Sequence, residues 1–219
     1  MYTELKKELD QYHVALVAVS KTKPLEAIKK IYNQGQRIFG ENRAQEMAQK
    51  HELLPKDIEW HMIGHLQKNK VKYISSFVKM VHSVDNVKLL SLINKEADKY
   101  DRSIDFLLQI KIAKEESKYG LSPKQGIELA EKIVDNNFPH TRCCGVMGMA
   151  TFTDNPNQIE KEFSFLRDYF KEMKSNIFGD RSSFNTISMG MSGDYKLAIK
   201  CGSNMVRIGS MIFGPRNYE

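Results

Sequence analysis

The stretch VALVAVSKTKP spans residues 14–24. Six apolar residues run unbroken from Val14 to Val19, and Ser20, Lys21, Thr22, Lys23 and Pro24 follow. A short apolar run closed by turn-forming residues suits a strand buried on both faces. Such strands belong to parallel sheets with helices packed on them. What sets this one apart is the lysine delivered at its tip.

Outward from it the pattern repeats. Strands are predicted over 14–20, 37–39, 59–63, 77–82, 104–110, 143–147, 186–189 and 205–208. Helical periodicity fills the gaps. Leu25, Ile28 and Tyr32 share one face, as do Val87, Leu90, Ile93 and Ala97. Ile159, Phe163, Leu166, Phe170 and Met173 form the strongest stripe. Pro24 suits a first helical turn, Asp85 and Ser122 suit N-caps, and Pro123 suits N1. Residues 3–12 read as a preceding helix.

No linker or low-complexity segment interrupts the chain, so residues 1–219 read as a single domain. Alternating strands and helices predict an α/β fold with a parallel sheet and crossover helices. Eight such units fit a closed (β/α)8 TIM-type barrel with an extra N-terminal helix, although barrels typically run to about 250 residues. An open doubly wound sheet is the alternative.

The totals exclude several classes. With 41% hydrophobic and 27% charged residues, the profile is that of an ordinary soluble protein. The formal charge of +6 favours anionic partners, but the lysines are scattered rather than clustered. Cys143, Cys144 and Cys201 are odd in number, and two are adjacent, which argues against a disulfide framework. The opening MYTELKKELDQY lacks the apolar region of a secretory signal. No apolar run approaches the roughly 20 residues of a membrane helix. A reduced, cytoplasmic protein without a membrane partner is expected.

In parallel α/β folds the strand C-termini face the site. Lys21 sits at that end of the first strand. An ammonium beside low-dielectric walls loses solvation, and its pKa falls. The neutral amine can then attack a carbonyl to give a Schiff base. Lysines at strand ends are common, so position alone favours a solvated side chain, and Lys23 reads as exposed. The far end of the chain shifts the balance. Residues 186–194 read TISMGMSGD, a strand followed by a turn with Gly190 and Gly193. Residues 205–210 read MVRIGS, with Arg207 inside a strand and Gly209 and Ser210 at its tip. Backbone N–H groups at such turns cradle anions. Barrels commonly bind phosphate after strands seven and eight, and strand eight lies beside strand one. Arg207, if buried, needs either a carboxylate partner or a ligand acceptor.

The segments AVSKTKP, FGENRAQE, WHMIGHLQKNK, HSVDN, GVMGMAT, SMGMSGD and VRIGSMIFG run from residue 18 to 214. Together they resemble the pyridoxal phosphate homeostasis protein family, whose barrel is similar to the N-terminal domain of alanine racemase. The resemblance implies that Lys21 carries pyridoxal 5′-phosphate as a Schiff base. It implies that Ser188, Met191, Ser192, Gly209 and Ser210 surround the phosphate, that Arg207 points at the pyridine nitrogen, and that Asn42 lies near the ring. Arginine cannot take a proton from that nitrogen, so the ring stays a weaker electron sink than a pyridinium. The racemase barrel uses the same partner, so this alone does not forbid racemization. Racemases draw a second base from an additional β domain, and the chain ends five residues after Gly214. The implied function is therefore cofactor holding in intracellular vitamin B6 homeostasis, with delivery to apo-enzymes and no catalytic residue.

The remaining candidates read as structural. His61 and His65 lack a third ligand at metal spacing, so no metal is expected; His61 reads as a barrel-interior residue. His82 and Asp85 read as a strand tip and a cap. Lys68, Lys70 and Lys72 read as a solvated helix face, with no nucleic-acid motif. Either Cys143 or Cys144 faces the barrel. Met147 and Met149 read as core filler, with cofactor contact the other option. A monomer is expected. A racemase, a Schiff-base aldolase and an RNA-binding module are the competing functions, and Lys23, Lys68 and Lys70 are candidate anchors for any second cofactor site.

Overall fold

Each predicted apolar run becomes a strand in the computed structural model, which describes residues 1–115, 119–135, 138–179 and 181–215. The strands are β1 (Ala15–Val19), β2 (Ile38–Glu41), β3 (Glu59–Met62), β4 (Met80–Val84), β5 (Ile104–Gln109), β6 (Thr141–Met147), β7 (Thr186–Ser188) and β8 (Met205–Ile208). They pair in parallel in chain order, and β8 returns to β1 with Arg207 opposite Val17. The sheet closes into a barrel, so the open doubly wound alternative is excluded.

Helix α1 (Tyr2–Gln11) precedes the barrel. The others are α2 (Leu25–Tyr32), α3 (Ala44–Leu53), α4 (Val87–Asp98), α5 (Pro123–Asp135), α6 (Pro156–Met173), α7 (Tyr195–Lys200) and α8 (Ser210–Phe213). A 3-10 helix, Lys68–Tyr73, stands where the third crossover helix would be. On α6, Phe163, Leu166, Phe170 and Met173 are buried and Ile159 packs against them, as the stripe predicts.

Strand alternation divides the core in two. Outward side chains such as Leu16, Ala18, Phe39 and Trp60 join the helices in the larger cluster. Inward ones, Val17, Met80, Leu107, Cys144, Met147 and Met205, fill the barrel. Cys144 and Met147 both face inward because the pairing slips by one residue, between Phe106–Cys143 and Leu107–Gly145. Gly145 follows the slip at φ 146°, where a Cβ would collide with the Thr186 carbonyl. Cys143 thus belongs to the outer layer.

Local chemistry moves several boundaries. β4 starts three residues later than predicted, because Phe77 and Val78 donate to the Ile74 carbonyl and close a turn. The delay places His82 inside the strand rather than at its tip. Asn86, not Asp85, caps α4, its side chain accepting the Leu89 N–H at 2.8 Å. Pro24 precedes α2 as its N-cap in extended backbone. Ser122 behaves as predicted. Its hydroxyl accepts the Gln125 N–H and Gln125 Oε1 accepts the Ser122 N–H, a reciprocal capping pair.

Candidate functional site

Inward parity along β1 runs through Ala15 and Val17 to Val19 and Lys21. Lys21 therefore enters the barrel mouth and lines a cavity of about 590 Å³. The turn that carries it is tight. Lys23 N–H donates to the Ser20 carbonyl at 3.0 Å, and Thr22 takes φ 63°. Outward parity puts Ser20 on the other side of the wall, where its hydroxyl donates to Glu41 Oε1 at 2.6 Å. Lys50 reaches the same place from α3. Its Nζ donates to the Ser20 carbonyl at 2.8 Å, Glu41 Oε1 at 2.8 Å and Glu46 Oε1 at 2.7 Å. Glu46 Oε1 also accepts the Thr22 N–H at 2.6 Å. Burial pushes the Glu41 carboxyl above its ordinary range despite the Lys50 charge. Burial also raises Glu46, but hydrogen bonds from Lys50 and Thr22 outweigh it and hold that carboxyl below its ordinary value.

The loops after β7 and β8 form the facing wall, with Met191, Ser192, Gly193, Gly209 and Ser210 on the cavity. Asp194 shapes the first loop by accepting the Met191 N–H at 2.6 Å. The N–H groups of Ser192, Gly193 and Ser210 carry no hydrogen bond among the described residues. Gly209 passes so close to β1 that a Cβ there would stand 3.2 Å from both the Cβ and the carbonyl of Val19. Such unfilled donors in a concave backbone are suited to an anion.

Arg207 lines the cavity from β8 and is only 4% exposed. Among the described residues it has no carboxylate in ion-pair range. Its Nη1 donates to the Ser188 carbonyl at 2.9 Å and the Ser188 hydroxyl at 2.6 Å, and Nη2 donates to the Gly148 carbonyl at 3.0 Å. Burial pushes its pKa down to about 10, so it remains a cation at neutral pH. Ser188 therefore lies beneath Arg207 and does not line the cavity, unlike the other predicted residues Lys21, Asn42, Met191, Ser192, Gly209 and Ser210. From Ser188 a polar chain continues inward. Ser188 Oγ lies 3.2 Å from His82 Nδ1, and His82 Nε2 lies 3.0 Å from His61 Nδ1. With Arg207 donating to Oγ, the hydroxyl hydrogen is left for His82 Nδ1, and His82 Nε2–H for His61. Burial depresses both histidines, His61 to about 3, so both are neutral.

The third wall is one the sequence reading missed. His65, Gln109, Tyr119 and Phe152 line the cavity; Met149, for which cofactor contact is the other option, joins them, while Met147 fills the barrel. His65 stacks on Tyr119 with ring centroids 4.4 Å apart, and Gln109 Nε2 donates to the Tyr119 carbonyl at 3.1 Å. Gln109 carries a signal like that of Arg207, a polar residue inside an apolar run. Tyr119 and Phe152 sit in loops without periodicity and give none. Phe152 is 97% exposed at the cavity's edge. Asn42 belongs to a close crossing, since a Cβ on Gly64 would strike the Asn42 backbone.

Other candidates resolve simply. Lys23 is half-buried, not exposed, and its Nζ donates to the carbonyls of Phe213, Gly214 and Pro215 at 3.1, 3.2 and 2.9 Å. Lys70 and Lys72 flank the Tyr73 ring at 5.5 and 5.4 Å. All three cysteines are buried. Burial pushes the Cys143 thiol up and the Cys144 thiol to about 11, so neither is a ready nucleophile. Among the described residues no group of three metal-ligating side chains occurs, and no helix is long and apolar enough to cross a membrane.

Comparison with known proteins places this geometry. Residues 2–217 match the family model described as alanine racemase, N-terminal domain. The pyridoxal phosphate homeostasis protein of Haemophilus influenzae is 39% identical over 213 residues, covering 96% of this chain and 88% of its own length. The structure of PipY from Synechococcus elongatus with PLP bound superposes with a TM-score of 0.86 at 29% identity, covering 98% of this chain and all of that one. An alanine racemase of Clostridium difficile superposes with a TM-score of 0.72 at 15% identity, over all of this chain and 59% of that one, a likeness of fold.

Proposed function

The chain belongs to the alanine racemase N-terminal domain family and, within it, to the pyridoxal phosphate homeostasis proteins; from that membership we propose that it binds pyridoxal 5′-phosphate through a Schiff base to Lys21. One observation carries the reading. Among the described residues, a lysine, a set of unfilled backbone N–H groups and a buried arginine with no carboxylate in ion-pair range converge on one cavity. These are the three groups that an aldehyde, a phosphate and a pyridine nitrogen require. When bound, the cofactor supplies an aldehyde that condenses with primary amines and a ring that draws electrons.

The chain's own residues divide the work. Ser192, Gly193, Gly209 and Ser210 hold the phosphate, and Asn42 flanks the ring. Arg207 donates to the ring nitrogen and keeps it unprotonated, because a guanidinium does not accept a proton. That weakens the ring as an electron sink and disfavours turnover. Ser188 acts through Arg207, as its hydrogen-bond acceptor. We assign no catalytic residue. The role that fits is intracellular cofactor holding and exchange, with release to apo-enzymes that use it.

Borohydride reduction of cofactor-loaded protein should fix one cofactor on Lys21, read by intact mass and peptide mapping, and Lys21→Ala should show none. Folded wild-type protein that stays colourless with added cofactor would end the reading. Solvent deuterium entering Cα of a free amino acid, far faster than with free cofactor, would make the protein a racemase instead.

A further inference from the structure

What aims Lys21 lies on the far side of the barrel wall. Lys50 does not line the cavity, yet its ammonium joins three segments around the Lys21 turn. They are the Ser20 carbonyl at the end of β1, Glu41 on β2 and Glu46 on α3. Lys50 is 6% exposed and Glu41 is fully buried. Glu46 in turn holds the N–H of Thr22. A β-branched residue at positive φ is a conformational outlier, and Thr22 stands at φ 63° between Lys21 and Lys23. Such a backbone persists only where its surroundings over-determine it.

Stability alone does not account for this cluster. A buried ion pair can generally be exchanged for well-packed apolar residues with little loss. Glu41 Oε2 is moreover buried without a hydrogen-bond partner, an arrangement that costs stability. Apolar residues, however, cannot grip the Ser20 carbonyl and, through Glu46, the Thr22 N–H. Those two groups flank Lys21 on either side.

We propose that Lys50, acting through Ser20 and Glu46, is a positioning residue that holds the Lys21 turn and so sets how firmly an aldehyde ligand is retained. The inference rests on Lys21 being the cofactor lysine. Condensation of an amine with an aldehyde forms a C=N bond, breaks the C=O bond and releases the oxygen as water. It needs no further reagent, only the amine held at the carbon while the phosphate is seated. A loosened turn lowers the effective concentration of that amine and leaves the phosphate loops after β7 and β8 untouched.

The test compares two ligands in wild type, Lys50→Met, Lys50→Arg and Lys21→Ala. One is pyridoxal 5′-phosphate; the other is pyridoxine 5′-phosphate, whose alcohol cannot condense. Lys50→Met should weaken retention of the aldehyde by about tenfold or more, while affinity for the alcohol changes by less than about twofold. Lys50→Arg should restore part of the difference. Equal weakening of both ligands, or of neither, overturns the proposal. If Lys50→Met does not fold, Glu46→Gln carries the same comparison, with a smaller loss in the same direction. A second readout needs no cofactor: acylation of Lys21 in ligand-free protein, followed by peptide mass mapping against Lys68 in the same sample. Lys50→Met should change the Lys21 rate and leave Lys68 alone, and an unchanged Lys21 rate overturns the proposal. If wild-type protein takes up no aldehyde, the reading of Lys21 fails, while the labelling arm still decides whether Lys50 holds the turn.

Discussion

Ser20, Glu41, Lys50 and Glu46 lie outside the barrel wall, between strand tips and α3; His61, His82, Ser188 and Arg207 lie inside it. Both clusters are buried polar networks, and burial penalises charge in each. The outer one answers by bringing opposite charges into contact. The inner one stays neutral up to Arg207, with two histidines kept unprotonated beneath a guanidinium held by carbonyl and hydroxyl oxygens. An ion-paired cluster fixes backbone, because its members reach into three segments. A neutral cluster supports the arginine with no carboxylate among the described residues, which leaves its charge to the cavity. The two therefore differ in what breaks them.

The largest effect is expected outside the wall. Lys50→Met strands the Glu41 carboxylate in a buried site and should cost about 3–5 kcal/mol of unfolding free energy in urea at pH 7. The double variant Lys50→Met/Glu41→Leu should recover most of that loss while leaving the Lys21 turn unheld. A single variant as stable as wild type would mean that water reaches the cluster. A smaller effect is expected inside. Ser188→Ala removes one acceptor from Arg207 and the partner of His82 Nδ1, and should cost about 1–3 kcal/mol in the same assay; no change would show that another group fills the gap.

The smallest effect is a matter of pH. His61 and His82 are depressed in the folded protein, His61 to about 3, from an ordinary 6.5. The unfolded chain therefore binds protons below pH 6.5 that the folded barrel refuses. The stability is fully present above that value and is lost as pH falls toward the folded one. Between pH 6.5 and 5.5 the loss should be on the order of 1 kcal/mol for each histidine. Replacing His61 with a neutral, non-titrating glutamine should remove its share of the slope. A flat profile over that window would mean that the histidines already carry charge in the barrel.

Much of this was legible beforehand. The eight strands, the α6 stripe and the Ser122 cap follow from local pattern, and Lys21 and Arg207 stand out because each interrupts or ends an apolar run. The shift of β4 was not legible, because a turn at 74–78 and a strand at 77–82 suit the same apolar residues. Lys50 gave no signal of its own among the chain's scattered lysines. Nothing in AQEMAQKHEL announces that it is buried: Glu46 offers only an ordinary i,i+4 pair, and the partners that bury it, Ser20 and Glu41, come from the end of β1 and from β2.

By itself, the sequence determined the alternation of strands and helices, and with it a parallel α/β sheet and the end at which Lys21 emerges; closure into a barrel was decided by the structure. Hydrophobic period and strand parity are properties of consecutive residues. Only the tertiary structure decided that Ser188 sits under Arg207, that His82 lies inside the barrel, that Tyr119 and Phe152 wall the cavity, and that Lys50 grips the turn from behind. Each of those is a contact between residues distant in the chain, set by closure of the sheet and by which helix lands on which strand.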